Sequence, residues 1–379
     1  MPTSNVVKAV RLSHTAVGFH QTSDRDSHKK DCNKIKKKHA ALATEEQRLR
    51  DFPGDFMTPA NVFEEREGHF WGILETRTYM RLRYALIEAL LKVNTRDAVQ
   101  AALDHAMDML RLCRSDNIGV RDRVPALYLR LGMDQEAYDF CKWYATDGSR
   151  GDYDWGDMNL GFLDVKDANI FESSMLEFLG CQDANILIVI ALIKIRLLHQ
   201  LIDLRSSNAI RDQVPQEVLD KVRRALVTKV VLKEKDIMDE MDPTAMILNL
   251  RLDIETLFFS IQESCPYFWP ALLDPEQHLS ARPAYYSSGS LEQTQLYVQY
   301  NYHAWAETPR ALDVIKCFVD GAEDLSDYTR AEEEKGGDND DDSDAWEDCD
   351  EEDIWLKLPP PKCTFYPPII HYRKPAWNV

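Results

Sequence analysis

Apolar residues recur at helical spacing through the first half of the chain, most clearly from residue 75 onward. In the stretch ETRTYMRLRYALIEALLKV they fall at Tyr79, Leu82, Leu86, Leu90 and Val93. This spacing places them on one face of a helix, as in helices that bury one side against a core. The pattern therefore predicts an amphipathic helix here.

Signals for three more helices follow before residue 146. Thr95 stands where an N-cap is expected ahead of the next apolar run, and Gly132 and Asp134 separate the last two runs as a stop and a start signal. The two junctions, ALLKVNTRDA and LYLRLGMDQEA, share one order of residue types at an offset of about 38 residues, which is typical of stacked helical hairpins. Four helices in two hairpins are thus predicted for residues 75–146.

The second half predicts further helices, over residues 170–179, 184–204, 215 through 227 and beyond, 244–262, 291–305 and 309–321. Between the halves, residues 148–168 are rich in Gly and Asp, which favours irregular structure. The stretch 184–204 is the most apolar, but Lys194 and Arg196 leave about ten clean apolar residues, short of the ~20 that span a membrane. We expect a buried helix there.

These patterns predict an all-α fold. Its body is expected to consist of tetratricopeptide-like helical hairpins at residues 60–150 and a second helical region at 165–322. Residues 1–26 lack periodicity and are predicted to be disordered. The end of the chain, 323–379, combines a Pro-rich tail with fourteen acids and one lysine between positions 332 and 353. Like charges repel and little can be buried there, so we expect disorder in this part as well.

Charge and cysteine usage limit the function classes. The net charge of -19 argues against binding nucleic acid through bulk charge. Eight cysteines without clustering in 379 residues do not form a disulfide framework, which favours a cytoplasmic or nuclear protein with reduced thiols. The N-terminal residues lack the continuous apolar run of a secretory signal. We expect protein or peptide partners and no membrane.

Motifs for a phosphate loop, a zinc protease or a nucleophile elbow are missing from the sequence, which favours a protein that is not an enzyme. Asp152 and Asp154 are interpreted as turn residues of a polar loop rather than a cation site. Asn301 and His303 are interpreted as helix residues rather than an enzyme signature. The cysteines in or beside apolar helices are interpreted as inert small apolar residues: Cys113, Cys141, Cys181 and Cys265.

The stretch SHKKDCNKIKKKH places His28 and Cys32 one helical turn apart among six lysines. An imidazole and a thiolate on one helix face can hold a zinc ion from one side. HKKDC followed by a Lys-rich helix resembles the last ligand pair of MYND-type zinc fingers, and the body resembles fungal-type MYND proteins with tetratricopeptide-like helices. The resemblance implies a zinc finger in which His28 and Cys32 are the last two of eight ligands, the other six being upstream cysteines.

The chain has no cysteine before Cys32 and no CxxC pair, and two ligands do not close a four-coordinate zinc site. Residues 27–50 are therefore predicted to be the remnant of such a finger followed by a basic helix. We expect no cofactor in the chain as given, and zinc only if a complete finger exists upstream. A chance resemblance and a site completed by distant cysteines stay open as alternatives. The lysines are interpreted as a solvated helix face or as a basic patch.

The leading functional hypothesis is a non-enzymatic scaffold for protein–protein interaction, built on helical repeats that present a concave surface. The alternative is a chromatin or transcription regulator whose full-length form has an intact zinc-binding MYND finger. Two aromatic-rich segments, FCKWYATDG and CPYFWPALL, are candidates for binding anchors or for core.

Overall fold

The computed structural model describes residues 18–329 except 179, 182, 212, 240–241, 322–324 and 326–327. Regular structure in this part of the chain is helical, with sixteen α-helices and no strand. Its one β-type contact is an isolated antiparallel bridge between His69 and Cys113. The prediction of an all-α fold is confirmed for these residues.

Six α-helices form the N-terminal half: α1 (Gly18–Arg50), α2 (Val62–Glu65), α3 (Arg77–Leu91), α4 (Arg96–Leu112), α5 (Val124–Arg130) and α6 (Asp134–Ala145). Helices α3 to α6 confirm the four predicted between residues 75 and 146. They pair as α3 with α4 and α5 with α6, and α4 also packs on α5. Thr95 caps α4 as predicted, since its Oγ1 accepts a hydrogen bond from the backbone N–H of Ala98 at 3.3 Å.

Ten α-helices follow in the C-terminal half: α7 (Ser174–Phe178), α8 (Ala184–Ser206), α9 (Gln216–Ala225), α10 (Lys229–Lys233), α11 (Lys235–Asp239), α12 (Thr244–Ser264), α13 (Phe268–Leu273), α14 (Glu276–Ser280), α15 (Leu291–Ala306) and α16 (Ala311–Val319). The long helices α8, α12 and α15 match their predicted positions to within two residues. The short helices α11, α13 and α14 were not predicted, because five or six residues show no apolar period.

Four predicted boundaries differ from the structure. Helix α1 begins at Gly18, so the segment 18–26 is helical rather than disordered, while residues 1–17 lie outside the described part. The sequence of this segment has no apolar period, which is why periodicity did not reveal the helix. Helix α16 begins at Ala311 and not at Pro309, because Arg310 between them has a left-handed φ of 62° that a right-handed helix excludes.

The predicted helix over 170–179 is shorter in the structure, where α7 begins at Ser174. The side chain of Asp253, which comes from α12, accepts the backbone N–H of Ser174 at 3.1 Å. This bond supplies one of the partners that the first turn of a helix lacks. The helix predicted from residue 215 through 227 and beyond is divided into α9 and α10. The start of α10 is fixed by Gln200, whose Oε1 accepts the backbone N–H of Thr228, the residue before α10, at 2.6 Å.

Helix α8 is the central helix of the core. It has the length and hydropathy of a membrane span, but 94% of its most apolar window is buried inside the protein, as the sequence predicted. It packs on α6 and α12, and α15 and α16 of the C-terminal half pack back onto it. Helix α15 also contacts α5, and buried residues from both predicted regions join one apolar cluster. The two halves therefore meet along α5, α8 and α15.

The core of α8 contains a buried ion pair. The ammonium of Lys194 is fully buried, and its Nζ lies 2.9 Å from Oδ2 of Asp253. The same ammonium donates to the backbone carbonyl of Glu172 at 2.5 Å. Removal from water lowers the pKa of Lys194, and the carboxylate of Asp253 opposes this shift. The pair thus links α8 to α12 and to the segment before α7.

A second polar cluster lies between α3 and α4. Arg83 forms an ion pair with Asp108 and donates from Nε to Nδ1 of His105 at 3.2 Å. Burial and, after it, the charge of Arg83 lower the pKa of His105 to about 4. His105 is therefore held neutral as an acceptor for the guanidinium.

Residues 148–168 have little regular structure, as predicted, and are fixed to the body by Arg114. Its guanidinium donates to the carbonyls of Asp157, Met158 and Leu160, at 3.1 to 3.3 Å. Gly68 has a φ of 82°, and a Cβ there would lie 2.2 Å from the sulfur of Met158. Only glycine meets both conditions without movement of the neighbouring chain.

Candidate functional site

A polar cavity of about 470 Å³ lies where the two halves of the chain meet. Its walls come from the C-terminal end of α5, the middle of α8, the turn between α9 and α10, and the turn between α15 and α16. Its volume falls within the range of about 300–1,000 Å³ typical of ligand pockets. Four arginines line it: Arg96, Arg130, Arg196 and Arg310. We call it the arginine cavity.

Arg130 forms the wall contributed by α5. Its Nε lies 3.1 and 3.0 Å from the two carboxylate oxygens of Glu307, and its Nη2 donates to Oε1 of the same carboxylate at 2.7 Å. The Arg130 side chain is only 6% exposed, whereas that of Glu307 is 41% exposed. This pair fixes the end of α5 to the end of α15, and so holds two walls of the cavity together.

Arg196 and Arg96 bind the carbonyl groups at the end of α5. Arg196, from α8, donates from Nη1 to the carbonyl of Leu129 at 3.1 Å. Arg96, from the first turn of α4, donates from Nη2 to the carbonyl of Leu131 at 2.9 Å. Carbonyls in the last turn of a helix lack intrahelical partners, so these contacts position both guanidinium groups.

Arg196 also faces the buried carboxylate of Asp134, with its Nη2 at 3.1 Å from Oδ1. Burial raises the pKa of Asp134, and the charge of Arg196 opposes that rise. Asp134 is the first residue of α6, where the sequence predicted a helix start. The arginine of α8 is thereby held at the junction between α5 and α6.

Arg310 closes the cavity at the turn before α16. Its Nη2 donates to Oδ2 of Asp203, on α8, at 2.8 Å. Its backbone has a φ of 62°, which costs an L-residue other than glycine of order 1–2 kcal/mol. Strained backbone of this kind persists where the surrounding contacts fix it, and it is frequent at binding sites.

His199 belongs to the wall that α8 contributes, one turn before Asp203. It is buried, and its Nε2 lies 2.9 Å from the hydroxyl of Tyr328. Tyr328 is among the last residues that the structure describes. The chain therefore leaves the described fold beside this wall of the cavity.

The lining of the arginine cavity carries a net positive charge, since its four guanidinium groups face three carboxylates, those of Asp203 and Glu307 in the lining and that of Asp134 beside Arg196. A guanidinium has five N–H donors in a planar fork that matches the two oxygens of a carboxylate. The contacts given above use one donor group of Arg96 and two of Arg196. The remaining donors can hold carboxylate or phosphate groups of a ligand.

The predicted metal ligands lie on α1. His28 and Cys32 are one turn apart on that helix, and Cys32 is exposed. Within the described residues, no group of three or more His, Cys, Asp or Glu residues is placed to hold a metal ion. This part of the chain therefore does not supply the further ligands that a structural zinc site needs. The zinc site stays a prediction that depends on residues outside it.

The other residues considered from the sequence lie at turn and helix positions. Asp154 accepts the backbone N–H of Gly156 at 2.8 Å, as a turn residue does. Asn301 is buried on α15, where its Nδ2 donates to Oδ1 of Asn185 at 2.7 Å. Burial lowers the pKa of His303 on the same helix. The interpretation of these residues as turn and helix positions is confirmed.

The cysteines named from the sequence are buried or half-buried. Burial raises the pKa of Cys141 and of Cys265, and raises that of Cys181 to about 11. A thiol with a raised pKa has little nucleophilic thiolate at neutral pH. These groups are therefore not placed as nucleophiles.

The two aromatic-rich segments belong mainly to the core. Trp143, Phe268 and Trp269 are almost fully buried, whereas Tyr267 is half exposed. The lysines before His39 are mostly exposed along α1, while Ile35 and Leu42 face the body. Lys34 lies close enough to Lys92 of the turn after α3 to lower the pKa of that ammonium.

The arginine cavity was not found from the sequence. Its arginines come from four elements and are separated by up to 214 residues, so no local motif connects them. The one local signal was the order arginine, aliphatic, glycine at Arg130 and Gly132, which was interpreted only as a helix stop. Comparison of the chain with protein-family models, with curated proteins and with solved structures finds no match in any of the three.

Proposed function

We propose that this protein is a non-enzymatic scaffold for protein–protein interaction, built on tetratricopeptide-like helical hairpins, which binds acidic peptide segments in the arginine cavity. The observation that carries the proposal is the convergence of four arginines on one cavity whose volume lies in the range of ligand pockets. Arginine forks bind carboxylates in a bidentate manner, so side chains of Asp or Glu are the ligands that fit best.

The placement of the cavity supports the proposal. It lies at the junction of α5, α8 and the turn before α16, so its walls are parts of helices rather than long loops. Arg130 and Arg196 are fixed by contacts with Glu307 and Asp134. A site whose donors are fixed before binding loses less side-chain entropy when a ligand binds.

The test is the binding of a fluorescein-labelled peptide of ten glutamates to the full chain, followed by fluorescence anisotropy at low salt. We expect saturable binding that weakens as salt rises, because the contacts are ionic. The variant Arg96→Glu reverses an exposed charge of the cavity without removing a partner of a buried carboxylate. We expect this variant to weaken binding at least threefold.

The matched control is Arg66→Glu, which makes the same charge reversal at an exposed arginine outside the cavity. It should leave the affinity for the peptide unchanged. If both variants weaken binding equally, general charge and not the cavity holds the peptide. If single-stranded thymidine decamer binds through Arg96 and the glutamate peptide does not, the cavity is a nucleic-acid site and the proposal is wrong.

A second candidate function is a chromatin or transcription regulator whose longer form carries an intact zinc-binding MYND finger. The exposed Cys32 on α1, one turn from His28, favours it, because this pair fits the end of such a finger. Mass spectrometry of the N-terminal peptides of the endogenous protein tests it. Peptides upstream of Ser27 with paired cysteines would support it, whereas a terminal peptide that begins MPTSNVV would exclude it.

A further inference from the structure

The last described residues are fixed against α8 and α12. Leu325 is fully buried, and its backbone N–H donates to Oε1 of Glu255 at 3.1 Å. Thr329 is buried as well, and its Oγ1 donates to the carbonyl of Leu325 at 3.0 Å. Between them, the hydroxyl of Tyr328 contacts His199, which lines the arginine cavity. The position from which the chain continues is thereby set at the cavity wall.

The acidic segment, residues 332–353, begins four residues after Tyr328. Four residues span at most about 14 Å. Glu332, Glu333 and Glu334 are the first three of the segment and are consecutive. The segment therefore begins within about 14 Å of Tyr328, whose hydroxyl contacts a residue of the cavity wall.

Opposite charges favour an encounter between the acidic segment and the arginine cavity. The segment contains fourteen acids and one lysine, which accounts for most of the net charge of the chain. The arginine cavity has a positive lining in an otherwise acidic protein. Opposite charges attract over roughly 10 Å at moderate salt, a distance similar to the reach of the tether.

From this arrangement we infer that the acidic segment 332–353 is an internal ligand of the arginine cavity and competes with acidic peptides from partner proteins. This inference rests on the function proposed above and adds a regulatory element to it. A short tether gives an effective concentration of about 1 mM. For a segment with an intrinsic Kd of about 0.1 mM, the affinity for an outside peptide falls about tenfold.

The test compares the full chain with a full-length variant in which the fourteen acids of 332–353 are replaced by Asn or Gln. Binding of the labelled glutamate peptide is measured for both. In parallel, phenylglyoxal, a neutral reagent, modifies accessible arginines, and mass spectrometry follows the rates at Arg96 and at Arg66. The reagent has no charge, so its reaction reports coverage of the arginine rather than repulsion by the acidic segment.

We expect the neutralised variant to bind the peptide about tenfold more tightly and to react faster at Arg96, with an unchanged rate at Arg66. Equal peptide binding by both chains, together with an unchanged rate at Arg96, would overturn the competition while the proposed function stands. If neither chain binds the peptide, the proposed function itself is wrong and the competition falls with it. Tighter binding without a change at Arg96 would assign the effect to net charge and also overturn the inference.

Discussion

The buried ion pair between Lys194 and Asp253 gives the sharpest prediction for stability. The change Asp253→Asn keeps the shape of the side chain and its ability to accept the N–H of Ser174, but removes the negative charge 2.9 Å from a fully buried ammonium. Loss of one partner from a buried pair typically costs about 3–5 kcal/mol, because the other charge stays buried without compensation.

Deprotonation of Lys194 sets an upper limit on this loss of stability. In the variant, Lys194 can lose its proton instead of staying charged. Starting from the usual pKa of 10.5, deprotonation at pH 7 costs 1.36 kcal/mol for each pH unit, or about 5 kcal/mol in total. At pH 9 the same limit is about 2 kcal/mol. A folded-state pKa below the unfolded value means that the unfolded chain binds more protons, so the stability of the variant must rise with pH in this range.

The assay is urea unfolding followed by tryptophan fluorescence at pH 7 and at pH 9. We expect Asp253→Asn to lower the free energy of unfolding by about 3–5 kcal/mol at pH 7 and by about 2 kcal/mol at pH 9. The double variant Lys194→Met with Asp253→Asn should recover most of the loss at pH 7, because it buries no charge. Asp274→Asn, at an exposed position, is the control and should change little. A single variant within about 1 kcal/mol of the wild type at pH 7, or an equal loss at both pH values, would refute the reasoning.

Three further predictions concern other parts of the fold. The pKa of His105 is lowered to about 4 in the folded protein, so below pH 6.5 this residue binds a proton in the unfolded chain first, and stability falls as the pH drops from 6.5 to 4. In urea unfolding measured across this range, His105→Gln should remove about 3 kcal/mol of that fall. The same pH dependence in the variant and the wild type would contradict this. Gly68→Ala should lower the unfolding free energy by more than Gly132→Ala does. Gly132 has a similar φ of 74°, but no atom lies within 4 Å of the position that its Cβ would take, so that change should cost about 1 kcal/mol. Equal losses in thermal unfolding would mean that Met158 moves without cost. Iodoacetamide should alkylate the exposed Cys32 in the native protein and the buried Cys141 only after denaturation, as measured from peptide masses. Alkylation of Cys141 in the native protein would show that α6 opens.

The sequence predicted helices well where local periodicity determines them. Helices α3 and α4 carry apolar residues on one face and polar residues on the other. Thr95 and Gly132 are local signals for a helix start and a helix stop. Helix α8 was found for a different reason, since two charges within a very apolar run pointed to a core helix rather than a membrane span. The helix over 18–26 was missed because that part of the sequence has no apolar period.

The candidate site could not be predicted in the same way. Arg96, Arg130 and Arg310 meet only after α4, α5 and the turn before α16 have been brought together by packing on α8. The partner of Lys194 is likewise 59 positions away, and no short-range pattern selects Asp253 from the other acids. Conversely, His28 and Cys32 formed a local pattern that was easy to notice, and it stays a prediction because its completion lies outside the described residues.

The distance along the chain between Lys194 and Asp253 has a consequence during synthesis. Ribosomes add about 5–20 residues per second, so Lys194 leaves the exit tunnel roughly 3–12 s before Asp253 follows. Over that interval the most apolar helix of the protein has neither its ion-pair partner nor the cover that α12 provides. Nascent chains at this stage should be the ones that engage chaperones or aggregate. A ribosome stalled before residue 253 should therefore carry the chain in its most chaperone-dependent form.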